Sequence, residues 1–352
     1  ALAECLSSIF NDVFTQHSQA SLGDGVLIAL HKPGKPKDPM NNLRLITLLT
    51  TARKILSLIT LSRIRADVER YISPSQAGFR QNRSTADIVF CKRILASIVE
   101  RFNTTIYVLG LDLSKAFDTI NRTKLLDVME QEKIGDADGL RLVRYLLSGT
   151  ALTVRVNEAQ SAPFETARGV PQGDGLSPVL FTVYLEAALR MVRDRLPARP
   201  SADNILPEET AYADDVDFIS TSKSFLTSAL PVIAGVFSEW GLTVNTSKTE
   251  WIRIYLEPTL GDATSTTSRK VGTTRGKEAW RQVKTLGSLY GSGEDVTRRI
   301  GLAARAFGDT LKLWFKHNLL STPIKIRLYN TFVLPILTYN LACHGLSRAQ
   351  EK

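Results

Sequence analysis

The stretch TAYADDVDFIS, residues 210–220, sets Asp214 and Asp215 side by side between two runs of strand character. Adjacent carboxylates repel each other and aspartate is poor strand material, so stability gives no reason for the pair. Two readings remain: a solvated turn, or a spot where something positively charged sits. A hairpin with Ala213, Asp214 and Asp215 at its tip satisfies both.

A companion lies upstream. In TIYVLGLDLSKAFDTI, residues 105–120, Ile106, Val108, Gly110 and Asp112 share one face of an expected strand, with Asp112 at its end, where a side chain can leave the sheet. If this strand neighbours the hairpin, three carboxylates converge at one end of a sheet. Oxygen ligands of this kind suit Mg²⁺, which prefers one or two carboxylates plus substrate phosphates to a full protein cage. Two such ions would clamp the attacking and leaving oxygens of an in-line phosphoryl transfer. Each short motif taken alone is more often a strand end or a helix cap. Their order along the chain, with the Gly/Pro loop GVPQGDGLSP between them, is far more specific.

The whole chain is compatible with this chemistry. Its 352 residues are 43% hydrophobic and 22% charged, ordinary values for a packed globular protein of two or three lobes. The formal net charge of +9 favours an anionic partner, of which nucleic acid is the foremost candidate. Cys5, Cys91 and Cys343 are far apart, which supports neither a disulfide framework nor a zinc site and fits a reducing compartment. With no bilayer-length apolar run, the chain reads as soluble, and the absence of an initial Met reads as an excerpt from something longer.

Periodicity supplies the rest of the expected organisation. LAECLSSIFNDVF puts Leu2, Cys5, Leu6, Ile9, Phe10, Val13 and Phe14 on one face of an amphipathic helix docked on the body. Residues 23–49 read as a hairpin whose connection gathers Lys32, Lys35 and Lys37, with Arg44 beside it. Two helices follow, the first spaced through Ile55, Ile59, Leu61 and Ile64, the second capped by Ser84 with Asp87 three residues on. Ser177 is the expected cap of a long apolar helix with Pro178 in its first position. A helix ends at Gly241 before a further strand, and GTTRGKEAWRQ near residue 275 reads as an exposed hairpin or loop. Val296, Ile300, Ala303, Phe307, Leu311 and Trp314 fall at helical steps, and a second helix follows STP, giving a small helical lobe.

The ordered set LDLSKAFDTINR, GVPQGDGLSPVLF, AYADDVDF, GLTVNTSKTEW and VKTLGS resembles the successive motifs of reverse transcriptases of non-LTR (LINE-type) retrotransposons. HKPGKPKDPMNNLRLITLLTTARKIL and QAGFRQNRSTADIVF are similar to that group's finger motifs, and RLYNTFVLPILTYNLACHGLS to the end of its thumb. The resemblance implies an α+β right-hand polymerase fold: basic fingers, a palm with an antiparallel sheet and helices, and a helical thumb. Its implied divisions are an N-terminal helical extension (1–20), fingers (21–104), palm with the first catalytic strand (105–119), a fingers/palm insertion (120–173), palm (174–290) and thumb (291–352).

By the same resemblance Asp112, Asp214 and Asp215 are the palm carboxylates that hold two Mg²⁺ ions, with Mn²⁺ able to substitute. Phe117 is the steric gate under the incoming sugar, filling the space of a 2′-hydroxyl. Gln172 and Gly173 contact template and nascent pair, and Gln172 also the nucleotide. Lys32, Lys35, Arg44 and Arg80 grip the triphosphate. Lys248 is a proton donor to leaving pyrophosphate, and Leu286 and Gly287 position the primer end. Two departures leave the carboxylates untouched: Leu45 stands where the family has proline between Arg44 and Ile46, and Gly175 stands at a position the family varies.

The implied activity is RNA-directed DNA polymerisation with an RNA template, a DNA primer or target DNA, and dNTPs. No membrane is involved, and the protein is expected inside the cell, in nucleus or cytoplasm, as a ribonucleoprotein of a retrotransposon. A catalytically silent RNA-binding scaffold, or a splicing cofactor like the maturases of group II introns, is the rival reading. Intact Asp112, Asp214, Asp215 and Phe117 weigh against it. No endonuclease motif or zinc-knuckle spacing is recognisable, so the cut that would prime insertion must come from elsewhere.

Overall fold

The computed structural model describes residues 2–15, 22–32, 34, 36, 42–257, 270–272, 274–275, 278–279, 282–311, 314 and 320–343. Helix α1 (Leu2–Phe14) comes first, then a hairpin of β1 (Gly25–His31) and β2 (Leu43–Leu49), and two long helices, α2 (Thr51–Tyr71) and α3 (Thr85–Phe102). Strand β3 (Ile106–Leu111), the short β4 (Leu113–Ser114) and one turn of helix, α4 (Ala116–Thr119), follow. After α5 (Arg122–Gln131) and α6 (Ala137–Leu147) come β5 (Ala151–Val156), β6 (Ala159–Gln160) and β7 (Phe164–Glu165). Helix α7 (Ser177–Arg195) leads to β8 (Glu209–Tyr212), β9 (Asp215–Ser220), α8 (Lys223–Glu239), β10 (Thr243–Val244) and β11 (Glu250–Glu257). The short strands β12 (Lys270–Gly272), β13 (Thr274–Arg275), β14 (Glu278–Ala279), β15 (Lys284–Thr285) and β16 (Ser288–Leu289) precede α9 (Ser292–Thr310), α10 (Thr322–Phe332) and α11 (Leu334–Thr338).

The element that positions everything else is an antiparallel sheet in the order β12-β11-β3-β9-β8. Its middle strand β3 is apolar on both faces, as expected of a strand covered on both sides. Leu109 and Leu111 join the main core, whereas Ile106 and Val108 pack with Leu95 and Val99 of α3. Helix α7 is the main backing. From Val179 to Leu189 every residue but Thr182 and Glu186 is apolar or aromatic and all are buried, while Pro178 before them is half-buried. A helix buried on nearly all sides has no amphipathic stripe to read, only an unbroken apolar run.

A second sheet, β2-β1-β5-β6 with β7 on β5, forms the neighbouring lobe, and β1 pairs β5 in parallel. The antiparallel sheet with its helices, this lobe and the helical α9–α11 unit make up the expected α+β arrangement of palm, fingers and thumb. The pairing of β4 with β10 draws the chain after Asp112 against residues 243–245.

Several local expectations need correction. The buried face of α2 carries Arg53, Leu56, Ser57, Thr60, Leu61, Ile64 and Val68, while Ile59 is exposed and, with Ile55, lines a groove beside α1. Three polar residues on the inner face, each with a bonding partner, displace the apolar spacing. Ser177 is the first residue of α7 and Leu176 occupies the cap. The backbone N–H of Leu176 is satisfied instead by the carboxylate of Asp174 at 3.2 Å. Cys5 is exposed on α1, and Ile300 is exposed on α9, where Val296 and Ala303 alone of the expected stripe are buried among the described residues. Ser84 does cap α3, in a full capping box with Asp87.

Candidate active site

The β8–β9 hairpin pairs Tyr212 with Asp215, so Ala213 and Asp214 are its two turn residues. Ala213 lies at φ +57°, a left-handed conformation that a larger or branched side chain would resist. What fixes it is Gln76, a buried side chain from the segment between α2 and α3. Gln76 Oε1 accepts from the N–H of Ala213 at 3.0 Å and from that of Gly78 at 2.7 Å, and Nε2 donates to the Ala213 carbonyl at 3.3 Å. The same segment runs beside β8, where Ala77 N–H donates to Ala211 O and Ala211 N–H to Ser75 O, each at 2.9 Å. A Cβ on Gly78 would stand 2.3 Å from the Ala213 nitrogen, so only glycine permits this approach.

Asp112 sits just past β3, and the turn at Asn245 brings a cation to it. Asn245 N–H donates to the Asp112 carbonyl at 2.8 Å, and Lys248 Nζ forms an ion pair with Asp112 Oδ2 at 2.8 Å. Asp112, Asp215 and Lys248 line one cleft of about 370 Å³, together with Asp217, Gly110, Thr210, Tyr212 and Leu286. Asp214 belongs to the same charge cluster. Burial raises its pKa first and Asp112 adds to the shift, while Lys248 and Arg44 oppose it. The carboxyl of Asp215, open to solvent on one side, is pushed up to about 6 by burial of its inner side and by Asp214, Asp217 and Asp112, with Lys92 opposing.

Besides burial, Asp112 raises the pKa values of Asp214 and Asp215, as befits an anionic site short of positive charge. Among the described residues no three His, Cys, Asp or Glu side chains are gathered into a ready-made metal cage. A hard divalent cation that completes its shell from substrate phosphates does not require one, and an all-oxygen donor set is the set it takes. Asp112, Asp214 and Asp215 therefore fit such an ion.

Of the other residues singled out by sequence, Leu286 reaches the cleft and Arg44 acts on it electrostatically. Leu286 and Gly287 are the turn between β15 and β16, at φ +45° and +82°. Phe117 is half-buried, stacked 4.8 Å from Phe181 of α7 and edge-on to Phe79 at 6.4 Å. Gln172 lies elsewhere: it lines a neighbouring cavity of about 290 Å³ with Thr47, Lys115, Arg122 and Arg168. Its carbonyl accepts from Thr47 N–H at 2.7 Å, which seats the loop on β2. Gly173 is at φ +129°, and a Cβ there would lie 2.5 Å from the Thr47 carbonyl oxygen. Arg80 is committed to its own loop, paired with Glu69 at 2.9 Å and donating to the carbonyls of Ser73, Gln76 and Glu69. Lys32 follows the last residue of β1, its N–H bonded to the Asn42 carbonyl at 2.9 Å, and Lys35 and Lys37 lie outside the described residues.

Gln76, Asp217, Lys92 and the buried pair Arg53–Asp174, which at 3.2 Å anchors the loop after Gly173, stand out neither by periodicity nor as the reactive positions of a motif. Arg53, Gln76, Asp174 and Asp217 all fall inside the quoted motifs, and the motifs themselves are their signal. For Lys92 there was none.

Residues 30–288 match the family model described as reverse transcriptase (RNA-dependent DNA polymerase). The chain belongs to that family, whose members depend on divalent metal ions, and its relatives place it with the non-LTR retrotransposons. The RNA-directed DNA polymerase from mobile element jockey of Drosophila melanogaster is 25% identical, over 97% of this chain and 37% of that protein. The Pol polyprotein from type-1 retrotransposable element R2 of Popillia japonica is 28% identical, over 63% of this chain and 31% of that protein. The chain thus spans well under half the length of these relatives. In fold it resembles telomerase from Candida albicans, with a TM-score of 0.55 and 14% identity, over 92% of this chain and 60% of that one. Among the described residues no helix is long and apolar enough to cross a membrane.

Proposed function

We propose that the chain is the polymerase part of a retrotransposon protein and extends a primer 3′-hydroxyl with dNTPs on an RNA template. The observation that carries this reading is the meeting of Asp112, Asp214 and Asp215 at one end of the central sheet, in a chain of this family. Asp112, Asp214 and Asp215 would hold two Mg²⁺ ions, with Mn²⁺ as a substitute. Bound there, the ions supply activation of the attacking hydroxyl and neutralisation of charge on the departing phosphates.

The chain's own residues do the rest. Lys248 holds its ammonium at Asp112 and is placed to give a proton to pyrophosphate as it leaves. The ring of Phe117, fixed between Phe181 and Phe79, excludes a 2′-hydroxyl. Lys32, Lys35, Arg44 and Arg80 draw the triphosphate, Arg80 from a loop position fixed by its pairing with Glu69. Gln172 and Gly173 present a backbone seated on β2 to template and nascent pair, and Leu286 and Gly287 position the primer end. The divisions are those given above, with fingers at 21–104, palm at 105–119 and 174–290 around the 120–173 insertion, and thumb at 291–352 after the N-terminal extension 1–20. As part of a retrotransposon ribonucleoprotein it works inside the cell, in nucleus or cytoplasm.

Primer extension on an RNA template with a DNA primer tests the reading, comparing wild type with Asp214→Ala/Asp215→Ala and dNTPs with ribonucleotides. DNA synthesis by wild type, absent in the variant and with ribonucleotides, is expected. Tight, salt-sensitive template binding without synthesis would point to the scaffold instead.

A further inference from the structure

Asp217 has no task in the polymerase scheme, yet it lines the catalytic cleft with Asp112 and Asp215. It follows Asp215 by two positions on β9, so both side chains leave the same face of the strand. Opposite it in β3 stands Gly110, and a Cβ there would lie 2.8 Å from Asp217 Oδ1. The carboxylate thus occupies space that any other residue at 110 would fill. From behind, α3 sends Lys92 through the core. Its side chain is 2% exposed, its ammonium forms an ion pair with Asp217 Oδ2, and the buried ring of Tyr290 lies 5.8 Å from it.

A buried ammonium is costly unless paired, and breaking such a pair from one side leaves an uncompensated charge. Lys92 is held charged here: burial works against its charge, and Asp217 overrides it and raises the pKa above the ordinary lysine range. A fourth carboxylate in a cation-binding cleft is a competing ligand unless something holds and neutralises it.

We propose that Lys92 is the fixed counter-charge of the catalytic cleft: it neutralises Asp217 and holds that carboxylate against Gly110, so that a divalent cation binds among Asp112, Asp214 and Asp215. The inference rests on the polymerase reading and deepens it. Lys92 and Asp217 are positioning residues that act through Asp215. Two effects of opposite sign follow. Without Asp217, an unpaired cation stands behind Asp215 and weakens cation binding. Without Lys92, the fourth carboxylate is released, which tightens cation binding while misplacing the ion for catalysis.

Equilibrium binding of Mn²⁺ to the whole chain without nucleic acid, read by the electron paramagnetic resonance signal of free Mn²⁺, separates these effects. Asp217→Asn should raise the dissociation constant about ten-fold and Lys92→Met should lower it by a similar factor, with the double variant within about two-fold of wild type. Primer extension should fall in both single variants and recover in the double. Single variants that shift Mn²⁺ binding in the same direction, or not at all while circular dichroism shows them folded, overturn the proposal. If Lys92→Met does not fold, Asp217→Asn decides, because unchanged Mn²⁺ affinity there is sufficient to reject it. Asp112→Asn is the control: Mn²⁺ binding indifferent to it, with no extension by wild type, would reject the metal site itself. A wild type that binds and extends beside a flat Lys92/Asp217 cycle rejects only the counter-charge.

Discussion

Two hairpin turns face the same cleft, and each holds a non-glycine residue in the left-handed region: Ala213 at φ +57° and Leu286 at φ +45°. Such a residue costs roughly 1–2 kcal/mol, so each turn persists only because its surroundings hold it. The holding differs. Ala213 is gripped by one neutral carboxamide, Gln76, that bonds only to backbone and belongs to a segment hydrogen-bonded along β8. The Leu286–Gly287 turn is gripped from the helical lobe. Tyr339 Oη donates to the Leu286 carbonyl at 3.0 Å, and Arg298 Nη1 and Arg299 Nη2 donate to the Gly287 carbonyl at 3.2 and 3.1 Å. The carboxylate turn is therefore fixed to the sheet, whereas the second turn is fixed to the lobe of α9 to α11.

The sharpest way to break that contrast is Arg299→Met. Arg299 is buried, with Nε on Asp295 Oδ2 at 2.9 Å and Nη2 on Ser288 Oγ at 2.9 Å, and Asp295 is fully buried. Removing the guanidinium leaves Asp295 with Arg298 as its cationic partner and should cost about 3–5 kcal/mol of stability, measured by urea unfolding. Hydrogen exchange should show lost protection over residues 284–290 with the 211–216 backbone unchanged. Equal loss in both would mean that the two turns are one unit.

Gln76→Leu attacks the other side. It leaves the buried Ala213 N–H and carbonyl unsatisfied, at about 1–3 kcal/mol. Because Asp214 and Asp215 follow Ala213 directly, turnover should fall about ten-fold or more while the nucleotide KM changes little. A rise in KM with turnover preserved would show that Gln76 serves nucleotide binding instead. Tyr339→Phe removes a single hydrogen bond to an exposed turn and should cost about 1 kcal/mol or less, seen as weaker primer affinity at unchanged turnover.

The two grips also show what a sequence carries and what it does not. Asp112, Asp214 and Asp215 were legible because their chemistry is in their side chains, and an ordered set of motifs names them. The hairpin around Asp214 and the strand ending at Asp112 follow from alternation and turn residues. Gln76 sits in a quoted motif whose arginine attracts the eye, but its work is done on backbone atoms 137 residues away, which no periodicity encodes. Lys92 reads as one more charge on an amphipathic helix until β9 is placed beneath it. The inner face of α2 is hidden for a related reason: Arg53, Ser57 and Thr60 are buried polar residues satisfied by Asp174 and by carbonyls, so apolar spacing points to Ile59 instead.

The smallest expected effect tests the grip most directly. In Ala213→Gly the folded turn loses its left-handed strain, worth about 1 kcal/mol, while the unfolded chain gains entropy worth about 0.4–1 kcal/mol, so stability should stay within about 0.5 kcal/mol of wild type. If the carboxamide of Gln76 fixes the turn, turnover should also be nearly unchanged. Combined with Gln76→Leu, the same glycine should cost more than the sum of the single changes, because a turn with neither grip nor restricted backbone has nothing left to order it. Additive effects would mean that the two devices act independently. A loss in Ala213→Gly alone as large as in Gln76→Leu would move the credit from the carboxamide to the restricted backbone of alanine.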